Sequence, residues 1–239
     1  MVLAIVQARM SSSRLPGKVM RPILGEPMLG LQIERMRRAT RLTRIVVATS
    51  TEAGDDVVED YAASIGVPVV RGALNDVLDR FRTALRAEGD PEHFIRITAD
   101  CPLADPALID RCIVRHMAGA YDYTHTGPGW SFPKGLDVEV VRTAVLDIAW
   151  REAAEPYERE HVTPFINRRP ERFHIGVEAC TPPLRWRWTV DTPEDFAFVE
   201  DVYGALYPAN PAFTTGDILA WQDRHPDRAL PHIPPGQAA

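Results

Sequence analysis

The polar and basic segment QARMSSSRLPGKVM, residues 7–20, carries the strongest chemical signal in the sequence. It directly follows Leu3 to Val6, an apolar run with the length of a buried strand. Small residues let backbone amides approach phosphate oxygens, and arginine and lysine add charge-assisted hydrogen bonds. The segment therefore predicts a triphosphate-binding loop, with a solvated basic loop as the alternative. Its candidate nucleotide-binding residues are Ala8, Arg9, Met10, Ser11, Ser12, Ser13, Arg14 and Lys18.

The elements that would position this loop alternate regularly along the first half of the chain. Apolar runs that suit strands buried on both faces of a parallel sheet are Leu3 to Val6, Ile45 to Ala48, Val67 to Val70 and Phe94 to Ile97. Helix-like stretches between them begin near Pro27 and cover about 55–64 and 75–87. This alternation predicts an α/β fold, Rossmann-like and doubly wound, with its ligand site beyond the carboxyl ends of the strands.

The pattern loosens after Asp105. A helix at 106–116 and a strand at 121–125 are expected before the turn-rich stretch TGPGWSFPKG. The later expectations are a strand at 136–141, helices at 144–151 and 158–167, strands at 173–177 and 186–190, and a helix at 193–207.

Several motifs in order resemble one enzyme family, the sugar-acid cytidylyltransferases. The segment AIVQARMSSSRLPGKVM is followed by LGEPMLGLQIERM, FIRITADCPLADP, GLDVEV, EREHVTPFI and RWTVDTPEDFAFV. Together they are similar to CMP-Kdo synthetase and acylneuraminate enzymes, and most closely to the spore-coat-polysaccharide type. The resemblance extends along the chain to about Tyr203. The resemblance implies a nucleotide-diphospho-sugar-transferase (GT-A-like) fold with a mainly parallel mixed sheet. It also implies one nucleotidyltransferase domain at 1–227 that forms a homodimer.

Within that domain we expect a CTP-binding half at 1–105 and an acceptor-binding and dimerisation half at 106–227. A proline-rich tail at 228–239 is expected to be disordered.

The resemblance gives two distant aspartates a metal-binding role. Asp100 follows the strand at 94–97, and Asp191 lies in WTVDTPEDF. Both match aspartates that bind magnesium in the resembling enzymes, and Mg²⁺ usually takes one or two carboxylates with phosphate and water oxygens. Helix capping is the alternative for each aspartate. With Mg²⁺ as cofactor, the expected catalytic residues are Arg14, Lys18, Asp100 and Asp191.

Further nucleotide contacts are expected at Arg71, Arg80 and the backbone of Ala99. The resemblance suggests a nucleotide contact for Arg80, which could equally be a solvated helix residue. Asp137 and Glu139 alternate on an expected strand and therefore share a face, towards either a ligand or solvent. The loop that contains Trp130 and Lys134 is expected to shape acceptor choice. The candidate acceptor-binding residues are Lys134, Asp137, Glu139, Arg159, Glu160 and His161; a structural role is the alternative for His161.

Charge and cysteine content narrow the possible partners. With 27 basic and 33 acidic residues the formal net charge is -6, which argues against a nucleic-acid partner, although basic residues crowd the N-terminal fifth. The three cysteines are odd in number and lack CxxC spacing, so we expect no disulfide or zinc site and a reducing cytoplasm. No stretch has the length and apolarity of a membrane span.

The predicted reaction joins CMP from CTP to a small hydroxylated, anionic acceptor, a sugar acid or a phosphonate or phosphate, and releases pyrophosphate. Three alternatives stay open: a sugar-1-phosphate nucleotidyltransferase that uses another nucleotide, a glycosyltransferase, and a catalytically silent nucleotide-binding subunit.

Overall fold

The chain folds around a seven-stranded mixed sheet, as seen in a computed structural model that describes residues 2–127 and 131–231. Trp130 and residues 232–239 of the expected tail lie outside the described residues. The strands are β1 (Val2–Gln7), β2 (Pro22–Ile23), β3 (Glu26–Pro27), β4 (Arg44–Ser50), β5 (Val69–Gly72), β6 (His93–Thr98), β7 (Tyr123–His125), β8 (Glu139–Arg142) and β9 (Ile175–Val177). The helices are α1 (Met28–Met36), α2 (Asp56–Ser64), α3 (Val77–Ala87), α4 (Pro106–Ala118), α5 (Thr143–Glu152), α6 (Pro156–His161), α7 (Pro164–Asn167), α8 (Pro193–Leu206) and α9 (Thr215–Arg224).

The large sheet has the strand order β5-β4-β1-β6-β8-β7-β9. The strands β5, β4, β1 and β6 run parallel, β8 is antiparallel to both neighbours, and β9 is parallel to β7. The predicted α/β fold with a mainly parallel mixed sheet is therefore confirmed. A separate two-stranded hairpin, β2 with β3, precedes α1.

Both faces of the central strand β1 are buried, which explains why apolar and polar residues do not alternate in the first apolar run. Ala4 and Val6 belong to one hydrophobic cluster, and Leu3 and Ile5 belong to another. Successive side chains of a strand point to opposite faces, so these two clusters are the cores on the two sides of the sheet.

The topological switch point of the sheet lies between β1 and β6. From β1 the chain proceeds to β4 on one side and returns to β6 on the other, and Gln7 pairs with Thr98 where both strands end. Open α/β sheets bind ligands in the crevice at such a point. The loop at 8–17 begins at this edge.

Two expected elements differ from the structure. Residues 186–190 form no strand, because Arg187, Trp188 and Val190 donate their N–H groups to three separate segments, at the carbonyls of Leu230, Lys134 and Asp100. The expected helix at 158–167 is two helices, α6 and α7. They are divided at Val162, which has a φ of +72°.

Helix α9 was not predicted from the sequence. Thr214 and Asp217 form a reciprocal capping box at its start, a signal that the sequence contained. Among the described residues, no helix combines the length and the apolarity needed to cross a bilayer.

Gly135 provides a test of how closely the chain packs against the backbone of Trp188 and Thr189. It has a φ of +109°, and a Cβ there would lie 2.5 Å from the backbone nitrogen of Thr189. We expect Gly135→Ala to lower the free energy of unfolding by more than about 1 kcal/mol, because both the backbone conformation and the contact oppose a side chain. Urea unfolding followed by circular dichroism measures this.

The matched control is Gly204→Ala in α8, where a Cβ meets nothing within 4 Å. Alanine there should raise the free energy of unfolding by about 0.5–1 kcal/mol. Equal effects at the two glycines would contradict the close approach at Gly135.

Candidate active site

A cleft of about 290 Å³ opens at the switch point and brings together most of the residues predicted to bind phosphates. We call it the first cleft. Its lining consists of Gln7, Arg9, Ser12, Ser13, Arg14, Lys18, Val19, Val77, Arg96, Thr98, Ala99, Asp100, Glu160, His161 and Asp191. The predicted loop and the two predicted aspartates therefore meet at one site, although they are far apart in sequence.

The loop at 8–17 is fixed to β4 by a buried carboxylate that sequence reasoning missed. Asp55 accepts hydrogen bonds from the N–H of Met10 at 2.7 Å, the N–H of Ser50 at 3.0 Å and the Ser50 hydroxyl. Burial opposes ionisation, but these donors together lower the pKa of Asp55 below its usual value. An ionised carboxylate thus positions the start of the loop.

The ammonium of Lys18 lies between the two predicted metal ligands. Its Nζ is 3.4 Å from Asp100 Oδ2 and 3.2 Å from Asp191 Oδ1, and it donates to the carbonyl of Val190 at 2.5 Å. Lys18 is buried, and Gly17 precedes it with a φ of +71°, which turns the chain into the cleft. A point of positive charge is therefore held at the junction of two carboxylates.

Asp191 is also contacted by two arginines. Arg14 Nη2 lies 3.0 Å from Asp191 Oδ1, and Arg187 donates to Oδ2 at 2.8 Å. Burial of Asp191 favours its neutral form, but Lys18, Arg187 and Arg14 outweigh that effect and lower its pKa. Arg187 also pairs with Asp195, and sequence reasoning missed this arginine.

The helix-cap alternatives for both aspartates are wrong. Thr192 and Asp195 form the capping box of α8, and Asp105 caps α4. Asp100 instead accepts a hydrogen bond from the Thr98 hydroxyl at 2.5 Å and lies at the edge of the first cleft.

The donor chemistry of the site suits a hard divalent cation. Among the described residues, no group of three or more His, Cys, Asp and Glu side chains converges on one point. Mg²⁺ does not need such a group, because it commonly takes one or two carboxylates beside phosphate oxygens and water. Asp100 is the more accessible of the pair, with 28% of its side chain exposed against 12% for Asp191. It also has fewer cationic neighbours within 4.0 Å.

A second cleft of about 270 Å³ adjoins the first and shares Arg96 and Thr98 with it. The remaining lining residues are Tyr123, His125, Thr126, Gly127, Asp137, Glu139 and Asn167. Asp137 and Glu139 face the same cleft, in agreement with their alternation in sequence.

Arg96 links the two clefts and was missed by sequence reasoning. It forms an ion pair with Glu139, and its Nη2 lies 3.3 Å from Gln7 Oε1. A single charged residue inside an apolar strand, two positions before Thr98 on the same face, is the signal that could have identified it.

The structure places the other predicted residues as follows. Glu160 and His161 line the first cleft, not the second, and Arg9 Nη2 is 3.8 Å from Glu160. Burial lowers the pKa of the His161 imidazole. Ala8, Met10, Ser11 and Lys134 line neither cleft.

Three arginines that were predicted to bind a ligand contact other parts of the protein or are buried instead. Arg71 pairs with Asp56 and Glu59, and Arg159 pairs with Asp76. Arg80 is fully buried behind the first cleft, where desolvation and the nearby Arg9 lower its pKa to about 10. It is therefore not the solvated helix residue that the sequence left open.

Comparison with known proteins identifies the family of the chain. Residues 3–213 match the family described as cytidylyltransferase. The chain is 34% identical over 236 residues to the spore coat polysaccharide biosynthesis protein SpsF of Bacillus subtilis, covering 95% of this chain and 96% of that protein. It is 30% identical over 190 residues to the 8-amino-3,8-dideoxy-manno-octulosonate cytidylyltransferase of Shewanella amazonensis, with coverage of 75% and 74%.

A solved structure shows the same architecture over nearly the whole chain. The cytidylyltransferase from Leptospira borgpetersenii superposes with a TM-score of 0.91 at 28% identity, covering 98% of each chain. The family resemblance and the expected fold are thereby confirmed. The chain belongs to the cytidylyltransferase family, nucleotidyltransferases that act on CTP.

Proposed function

We propose that this enzyme transfers CMP from CTP to a hydroxyl group of a small anionic acceptor in the presence of Mg²⁺. The acceptor oxygen forms a bond to the α-phosphorus, the bond from that phosphorus to the bridging oxygen of the β-phosphate breaks, and pyrophosphate leaves. The acceptor hydroxyl gives up its proton to solvent water in the same reaction. The observation that carries the proposal is the placement of Lys18 between Asp100 and Asp191, directly after a basic loop that lines the same cleft.

The cations of the first cleft are suited to hold a triphosphate. Arg9, Arg14 and Lys18 line the cleft with Ser12 and Ser13 from the same loop. Charge-assisted hydrogen bonds from such groups stabilise the negative charge that develops as pyrophosphate leaves. Most of the catalytic effect would come from holding the α-phosphate and the acceptor in line.

Asp100 and Asp191 would hold the magnesium ion, with Asp100 as the more accessible ligand. When bound, Mg²⁺ supplies charge neutralisation and polarisation at the phosphate oxygens. Lys18 would keep both carboxylates oriented, because its ammonium contacts each of them.

The acceptor would occupy the second cleft, so that residues 1–105 mainly bind CTP and residues 106–227 mainly bind the acceptor. Arg96 lies where the clefts join and would contact the acceptor's anionic group. A sugar acid is the class that we propose, supported by a relative named for 8-amino-3,8-dideoxy-manno-octulosonate. That compound and its analogue with a hydroxyl in place of the amino group form a matched pair of test acceptors.

A pyrophosphate-release assay tests the nucleotide and acceptor assignments together. We expect release that requires Mg²⁺, CTP and a sugar acid, and a rate at least about tenfold lower with UTP, GTP or ATP, because unpaired polar groups penalise the wrong base. Turnover of a sugar-1-phosphate with UTP or GTP would instead favour the sugar-1-phosphate nucleotidyltransferase. CTP binding without turnover of any acceptor would favour the silent subunit.

Removing the charge of Asp100 tests the proposed metal ligand. We expect Asp100→Asn to lower kcat by at least about 100-fold, because the variant loses an anionic oxygen ligand at the reacting phosphate. Steady-state rates at saturating Mg²⁺ and CTP measure this. The control is Asp60→Asn on α2, an exposed aspartate outside both clefts. Near-wild-type turnover of Asp100→Asn would refute the assignment.

Asp55→Asn tests the positioning of the loop without touching a cleft residue. The side-chain oxygen of asparagine still accepts hydrogen bonds, but its NH2 group can only donate. One contact to Met10 or Ser50 is therefore lost. We expect the Kd for CTP to rise by about tenfold. Calorimetry measures the affinity, thermal unfolding verifies that the variant folds, and Asp60→Asn again serves as control. An unchanged Kd in a folded variant would show that the loop does not depend on Asp55.

A further inference from the structure

The second cleft contains more acidic than basic groups among the described residues. Its lining includes the carboxylates of Asp137 and Glu139, and Arg96 is its one arginine or lysine in this part of the chain. A cleft that accepts part of an anionic substrate would be expected to show the opposite balance. The partners of each charged group therefore decide which chemistry the cleft can recognise.

Glu139 is already fully engaged by the protein. Arg96 forms an ion pair with it, and the hydroxyls of Tyr123 and Thr163 donate to its Oε1 at 2.5 and 2.6 Å. Burial alone would keep Glu139 protonated, but Arg96 and the hydroxyl donors lower its pKa below the usual value. The charges of Arg96 and Glu139 thus compensate each other.

His125 adds no positive charge to the cleft. Its Nδ1 accepts the N–H of Gly127 at 3.0 Å, so the neutral ring carries its proton on Nε2. Burial lowers its pKa, and the carboxylate of Glu139 reverses this only in part. The ring therefore offers an N–H donor rather than a cation.

Asp137 is the group left without a compensating charge. Its Oδ2 accepts the N–H of Gly135 at 3.0 Å, and it forms no ion pair within 4.0 Å with any residue in 2–127 or 131–231. Its side chain lines the cleft and is exposed there. Desolvation, with Glu139 and Asp100 as nearby like charges, raises the pKa of Asp137, and the N–H of Gly135 and the charge of Lys134 oppose this only in part. A hydroxyl could bond to this group in either protonation state, whereas a cation on the ligand would favour the ionised carboxylate and pair with it.

We propose that Asp137 is a specificity-determining residue that selects acceptors with a primary ammonium group at the end remote from the attacking hydroxyl. This inference rests on the proposed function and narrows its acceptor to amino-substituted sugar acids. The acceptor's anionic group lies beside Arg96, which both clefts share, and its ammonium group contacts Asp137, which lines only the second cleft.

Competition between the matched pair of acceptors defined above tests this assignment. We expect kcat/KM with CTP to be at least about tenfold higher for the amino compound than for the hydroxyl analogue, mainly through KM. Calorimetry on the enzyme saturated with CMP should show the same preference in Kd. In Asp137→Asn the preference should fall to near unity, because the amide keeps the shape but loses the charge.

The matched control is Asp223→Asn, an exposed aspartate of α9 outside both clefts, which should keep the wild-type preference. Equal or reversed preference in the wild-type enzyme, binding of neither acceptor, or an unchanged preference in a folded Asp137→Asn variant would overturn the inference. Failure of the proposed function gives a different result, namely no release of pyrophosphate from CTP with any acceptor. Turnover without discrimination leaves that function standing and removes only the role of Asp137.

Discussion

The ammonium of Lys18 holds together parts of the chain that would otherwise repel one another at the site. Asp100 comes from the end of β6, and Asp191 comes from the segment before α8. Two carboxylates this close to one point need a cation between them, because a buried charge without a partner is costly. Lys18 supplies that cation from the loop that follows β1, so one contact joins the two halves of the chain where CTP would bind.

The sheet makes this contact possible. Because β1 and β6 are adjacent and parallel, their carboxyl ends deliver the loop at 8–17 and Asp100 to the same edge. Asp191 cannot reach that edge through strand pairing, since residues 186–190 form no ladder. Single backbone hydrogen bonds to Lys134, Asp100 and Leu230, together with the ion pairs of Arg187, position it instead.

The parts of the site that are local in sequence could be predicted, and those that depend on tertiary partners could not. The loop at 8–17 and Asp100 each follow a readable apolar strand, so sequence alone indicated their place. Asp55 escaped detection because nothing in its local sequence shows that it meets the amide of Met10. Conversely, Arg71 and Arg159 have the right charge for a ligand, but carboxylates that are distant in sequence bind them instead. Tertiary contacts also explain why residues 186–190 form no strand. Their apolar side chains are buried or partly buried, but their backbone pairs with no single neighbouring strand.

The two clefts are built from different kinds of structure, and this has an evolutionary consequence. The first cleft rests on the ends of long central strands, where a shift of one residue would disturb both cores. The second is bordered by the short strands β7 and β8 and by the connection between them. Substitutions in that connection alter the walls of the second cleft while β1 and β6 keep their register. Under the proposed function, the fold can thus diversify its acceptors across a lineage while its nucleotide chemistry stays constant.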